Sequence, residues 1–181
     1  HAHGLRGMAL RYFNACGADQ DGGIGEAHDP ETHLIHNILR AGLAKQTVTI
    51  FGDDFETKDG TCVRDYIHVT DLADAHIKAA TYLLAQKGPL YDAIHLGTGQ
   101  GYSNLEILKA AEKVLGSRIE YKIGSRRAGD PAGLYADNRK AKKILGFTTR
   151  HSDLETILKT ALDWHQKAPE GYLGGEDRAY F

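Results

Sequence analysis

Apolar positions recur along the chain with two alternating periods, one that suits strands and one that suits helices. Residues 7–13 (Gly-Met-Ala-Leu-Arg-Tyr-Phe) read as a buried strand, followed by a turn over 17–26 rich in glycine and aspartate. Asp29 then stands as a helix N-cap, Pro30 takes the first helical position, and Leu34, Ile35, Ile38 and Leu39 fall at helical spacing. This predicts a helix to about residue 43. Residues 47–51 form a β-branched strand, and 52–61 a polar, acidic loop too long for a simple hairpin and of the kind that often holds ligands. A strand over 63–69, a helix over 71–86 capped by Thr70, and a strand over 91–96 continue a βαβ rhythm. Ser103-Asn104-Leu105-Glu106 is a capping box opening a helix that ends at Gly116, and Ser152-Asp153-Leu154-Glu155 is a second one, opening a helix toward Lys167. Between them the pattern predicts a strand over 119–123 and a short helix capped by Asp137 and closed by Gly146. Residues 168–181 lack periodicity and read as a loose tail.

Composition narrows the class. Of 181 residues, 41% are hydrophobic and 25% charged, which suits a globular α/β chain with one core and a smaller satellite, and no solenoid repeat or low-complexity segment interrupts it. Lys plus Arg number 22 against 24 Asp plus Glu, so the net charge of -2 argues against nucleic acid or anionic membrane as a partner. No apolar run approaches the roughly 18 residues of a membrane span, and the start lacks the order of a signal peptide. The two cysteines imply no disulfide framework and point to a reducing compartment, most simply the cytoplasm. A strand that begins almost at once, without an initiating Met, is expected of a fragment starting in mid-domain.

Candidate chemistry lies in loops. Gly97-Thr98-Gly99-Gln100-Gly101 follows a strand and opens a helix, but Tyr102 stands where a dinucleotide fingerprint needs its third glycine, so a tight turn is the expectation. His33 and His36, three apart with Asp29 and Glu31 nearby, could ligate a metal if a further ligand converged; with no HExxH pattern, no metal is expected. There is no Gly-x-Ser-x-Gly elbow, and Cys16 and Cys62 default to packing. Arg64 and the run Arg126-Arg127-Ala128-Gly129-Asp130-Pro131 suit a nucleoside diphosphate: guanidinium forks match phosphate oxygens, and a carboxylate can accept from ribose hydroxyls. A solvated surface cluster is the bland alternative.

The chain resembles the UDP-glucose 4-epimerases, extended short-chain dehydrogenase/reductases, in Leu10-Arg11-Tyr12-Phe13-Asn14, Ile24-Gly25-Glu26, Phe51-Gly52-Asp53-Asp54, Leu96-Gly97-Thr98-Gly99 and Arg126-Arg127-Ala128-Gly129-Asp130. Its most specific match is Asp59-Gly60-Thr61-Cys62-Val63-Arg64-Asp65-Tyr66-Ile67-His68-Val69. The resemblance spans essentially all of residues 1–181. It implies the C-terminal part of such an enzyme, the last Rossmann strand or strands plus the smaller α/β substrate-binding domain. The family's N-terminal Gly-x-x-Gly-x-x-Gly loop and its Tyr-x-x-x-Lys catalytic pair have no counterpart here, so no catalytic residue is assigned to this chain.

The resemblance further implies that Tyr12 and Phe13 face the NAD cofactor, held mainly by the N-terminal half, and that Asn14 contacts the phosphates of UDP-glucose or UDP-galactose. Thr49, Ile50 and Phe51 would hold uracil through backbone groups, Arg64 and Arg127 would clamp the diphosphate, and Asp130 would read the ribose. His33 and Leu34 stand where many members carry Asn-Leu near the phosphates; histidine keeps a donor and makes it titratable. Ala15 replaces a proline of some members. Leu134 falls where side-chain bulk lines the sugar pocket near C2, with Tyr135 as the alternative. The implied reaction is isomerisation through a 4-keto sugar, by a homodimer when full length. A nucleotide-sugar 4,6-dehydratase and a non-catalytic UDP-sugar-binding module are the rival readings.

Overall fold

The structure is a computed structural model and describes residues 3–174. Arg6–Tyr12 (β1) pairs in parallel with Leu90–Leu96 (β6), and on one face of the pair Met8, Leu10, Ile94 and Leu96 pack against the helices Val69–Ala85 (α2) and Arg139–Leu145 (α4). The alternation is that of any strand, successive side chains leaving on opposite faces. Past Tyr12 the chain switches partners: Asn14–Cys16 (β2) pairs in parallel with Tyr66–His68 (β5). A second core gathers the helices Leu34–Ala44 (α1), Asn104–Leu115 (α3) and Leu154–Lys167 (α5), with Val48–Phe51 (β3) lying parallel to Tyr121–Gly124 (β8). Ile35, Ile38, Leu39, Ile50, Ile107, Ile157 and Leu158 are its fully buried centre. A small sheet in which Val63–Arg64 (β4) lies between Tyr102–Ser103 (β7) and Gly133–Leu134 (β9) joins the loops that flank these cores. No helix among the described residues is long and apolar enough to cross a membrane.

The Ser103 capping box forms as its residues predict: the hydroxyl accepts from Glu106 N (3.1 Å) and the Glu106 carboxylate from Ser103 N (2.9 Å). Other boundaries move for reasons of long-range bonding. The strand expected over 63–69 breaks at Asp65 into β4 and β5, and helix α2 is capped by His68, not Thr70: its Nδ1 accepts from Thr70 N at 3.1 Å. Helix α5 is capped by Asp153, which accepts from Thr156 N at 2.9 Å, because the Ser152 hydroxyl is drawn to Asp71 at 2.5 Å. Asn138 occupies the N-cap position of α4, while Asp137 pairs with Arg139 at 2.6 Å. Helix α1 begins only at Leu34, with His33 as N-cap, because Glu31 is spent holding the preceding loop: its carboxylate takes His33 N (2.7 Å) and its carbonyl takes Asn37 Nδ2 (3.3 Å). Asp29 and Pro30 thus lie before the helix. Where a loose tail is expected, Gly171–Gly174 form a 3-10 turn, and Tyr172 donates to the Gly25 carbonyl at 2.9 Å and lies tilted against the Trp164 ring. Residues 175–181 lie outside the described residues.

Candidate functional site

Between β2, β3, the start of α1 and the 126–130 loop lies a cleft of about 830 Å³. Its lining includes Asn14, His33, Leu34, Thr49 and Phe51, with Arg64, Arg127 and Asp130 across from them. Eight of the expected positions therefore meet in one place. Thr49 and Phe51 reach the cleft while Ile50, fully buried in the core, points away, which is the two-residue period of β3 at work. Only the backbone of Ile50 is left for a ligand.

The arginines differ in how they are held. Arg64 donates to the carbonyls of Val63 (2.8 Å) and Pro131 (2.9 Å) and lies 3.4 Å from Asp130 Oδ1. Arg126 is matched by Asp54 at 3.1 Å and covers Phe55, 3.8 Å from the ring centroid. Arg127 instead lies 4.1 Å over the ring of Phe51, and no carboxylate pairs with it among the described residues. A cation held by a ring face keeps its N–H fork open to an anion. Arg40 on α1 also lines the cleft, exposed, and sequence spacing gave it no prominence because only the fold turns that helix face toward β3.

The loop 52–61 is not an open ligand loop. Buried Phe55 closes it from within, Phe55 N bonds the Gly60 carbonyl at 2.8 Å, and a Cβ on Gly60 would sit 2.0 Å from the Asp53 carbonyl oxygen. It supports Arg126 rather than enclosing the cleft.

The Gly97–Gly101 turn is filled by protein. The fully buried Asp65 accepts from Thr98 N (3.0 Å), Thr98 Oγ1 (2.7 Å), Gly99 N (3.0 Å) and Ala136 N (3.1 Å). A Cβ on Gly97 would lie 2.6 Å from that carboxylate and 2.5 Å from Ala136. The N–H groups of Thr98, Gly99 and Gln100 are already satisfied within the protein, so the turn serves packing.

Three expected positions lie away from the cleft. Tyr12 is half exposed and tilted against His76, and Phe13 sits edge-on to His95, both at the end of β1. Leu134 is 49% exposed on β9, beside Arg64 in register but not among the lining residues. The cysteines match their default: Cys16 and Cys62 are buried and free, and burial pushes the Cys16 thiol well above its ordinary value.

At the cleft mouth, residues that spacing left scattered converge. Glu26 meets His28 Nδ1 (2.6 Å), His33 Nδ1 and His36 Nε2 (2.6 Å), and His36 Nδ1 continues to His165 Nε2 at 2.8 Å. Burial opposes ionisation of Glu26, but the bonds and charges of His36 and His33 prevail and hold it at about 2. Burial, then His36 and Arg40, push His165 down to about 4.

Residues 1–93 match the profile of the NAD dependent epimerase/dehydratase family. Over 172 residues the chain is 51% identical to a UDP-glucose 4-epimerase of Lactobacillus helveticus, covering 94% of this chain and 52% of that protein. Among solved structures, UDP-glucose 4-epimerase from Brucella ovis in complex with NAD superposes with a TM-score of 0.83 at 51% identity, over 89% of this chain and 49% of that one. The Bifidobacterium longum enzyme in complex with NAD+ and UDP gives 0.86 at 38% identity, over 93% and 50%. The chain spans about half the length of the curated relatives it matches.

Proposed function

The chain belongs to the NAD dependent epimerase/dehydratase family, and from that premise we propose that it is the UDP-sugar-holding portion of a UDP-glucose 4-epimerase. The observation that carries this reading is Arg127, stacked on Phe51 at the cleft wall without a carboxylate partner among the described residues, opposite Asn14 and beside Arg64 and Asp130. That arrangement suits a diphosphate with a ribose next to it. Arg64 and Arg127 bind the phosphates, Asn14 and His33 supply further donors, Asp130 accepts from the ribose, and the backbone of Thr49, Ile50 and Phe51 holds the base. Leu34 packs beside the phosphates.

NAD would supply a hydride acceptor and donor at C4 of the hexose. The Asp65-filled turn leaves no dinucleotide cradle among the described residues, so NAD is held chiefly by the part of the relatives that this chain does not span, with Tyr12 and Phe13 at its edge. The chain likewise contains no Tyr-x-x-x-Lys pair. Its contribution is positional: it fixes the nucleotide while the hexose turns over between the two hydride transfers. A homodimer of the full-length protein in the cytoplasm belongs to the same proposal; the buried free cysteines agree with a reducing compartment.

The test is made with the full-length protein. Saturable binding of UDP together with interconversion of UDP-glucose and UDP-galactose is expected, whereas this chain alone should give no turnover. A full-length protein that binds UDP without turnover would favour the non-catalytic module. Release of a 4-keto-6-deoxy sugar would favour the dehydratase.

A further inference from the structure

Ahead of helix α1, Glu26, His28, Glu31 and His33 each offer a ligand atom, and these atoms all lie within 4.8 Å of one another. The geometry points to a binding site for one divalent cation of the zinc class, built from two imidazoles and two carboxylates at the mouth of the cleft.

Charge is the first argument. The side chains of Glu26 and Glu31 are only 16% and 5% exposed, and no Lys or Arg pairs with either among the described residues; their close partners are imidazoles. Two largely buried carboxylates with no Lys or Arg partner make an anionic donor set that suits a dication.

The second argument is the buried support behind the cluster. His36 is 1% exposed, and its Nε2 makes no well-aligned hydrogen bond although Glu26 Oε2 is 2.6 Å away. Its other nitrogen is fixed by His165 at 2.8 Å. An imidazole aimed at one oxygen of a carboxylate, itself oriented from behind, is the arrangement that orders a ligand around a metal. The loop is also pinned beyond its ligands, by Trp164 Nε1 on the Glu26 carbonyl (2.8 Å) and Asn37 Nδ2 on the Glu31 carbonyl (3.3 Å).

Chemistry chooses the metal class. Calcium and magnesium take oxygen ligands almost exclusively, whereas mixed imidazole and carboxylate sets with four donors suit zinc. Donor atoms around a tetrahedral zinc at about 2.0–2.2 Å lie about 3.3–3.6 Å apart, so on binding the close contacts of Glu26 with the two rings open and the widest separation closes by about 1 Å. The site does not depend on the UDP-sugar reading, and its test measures metal rather than activity.

Zinc chloride is titrated calorimetrically into the full 181-residue chain after chelator dialysis. One saturable equivalent is expected, with His28→Ala and Glu31→Gln each weakening it by at least about tenfold. A double variant at His1 and His3 should leave the equivalent in place. Wild-type protein loaded with Co(II) should show the intense visible absorption of a tetrahedral centre, a readout that needs no variant to fold. No saturable uptake, uptake lost with His1 and His3, or octahedral Co(II) spectra would each overturn the site.

Discussion

The Arg127 guanidinium and the Phe51 ring lie 4.1 Å apart, and whereas Asp54 holds Arg126 by pairing its charge, the ring fixes Arg127 without consuming it. In the full-length protein Arg127→Ala should therefore weaken UDP by about 2 to 4 kcal/mol, the cost of losing a charge-assisted contact and leaving phosphate charge unpaired. Uridine, which lacks the phosphates, should be much less affected. Equal losses for the two ligands in titration calorimetry would refute the phosphate role.

Asp65→Ala tests the hub that closes the Gly97 turn. The variant strands the N–H groups of Thr98, Gly99 and Ala136 at a site that admits no side chain on Gly97. A loss of at least about 3 kcal/mol in urea-derived stability is expected, since each unsatisfied buried donor costs about 1–3 kcal/mol. A loss below about 1 kcal/mol would mean that water replaces the carboxylate.

Much of this architecture is legible locally. The period of Thr49, Ile50 and Phe51 sorts cleft from core, and Ser103 with Glu106 announces α3 before any tertiary contact is known. What is not legible depends on partners distant in sequence. Thr70 and Ser152 look like caps, yet His68 and Asp153 cap, because Ser152 answers Asp71 and His68 Nε2 meets Thr160 at 3.0 Å. The spacing of His33 and His36 suits one helix face, whereas residues 29–33 precede the helix, so His33 meets Glu26 and His28 instead. Arg40 reaches the cleft only because the fold sets α1 against β3.

Acid sensitivity should expose the buried histidine pair. His165 faces His36 and Arg40, with Glu26 and Glu31 more distant, and is held down at about 4 against its ordinary 6.5. The unfolded chain thus binds the extra proton between these values. Stability is full above about pH 6.5 and falls as pH drops toward 4, by about 2 kcal/mol at pH 5. Urea midpoints measured with chelator present at pH 7.5 and pH 5 check this. In His165→Gln, which cannot titrate, that part of the slope should vanish; an unchanged slope would assign the effect to other groups.

Leu134 offers the sharpest separation between nucleotide and sugar. It sits on β9 in register with Arg64, yet it is 49% exposed and outside the cleft lining, as is the 61% exposed Tyr135. With UDP in the cleft as proposed, a residue next to Arg64 but beyond the cleft lining meets the hexose without touching UDP. Leu134→Tyr in the full-length protein should therefore leave UDP affinity within about twofold while adding bulk against an N-acetyl group at C2. Pocket differences of one or two groups shift discrimination by about 1 to 3 kcal/mol. The ratio of kcat/KM on UDP-N-acetylglucosamine to that on UDP-glucose should fall accordingly. A fall in UDP affinity would place Leu134 in the nucleotide cleft after all, and an unchanged ratio would remove it from the sugar pocket and leave Tyr135 as the neighbour to test.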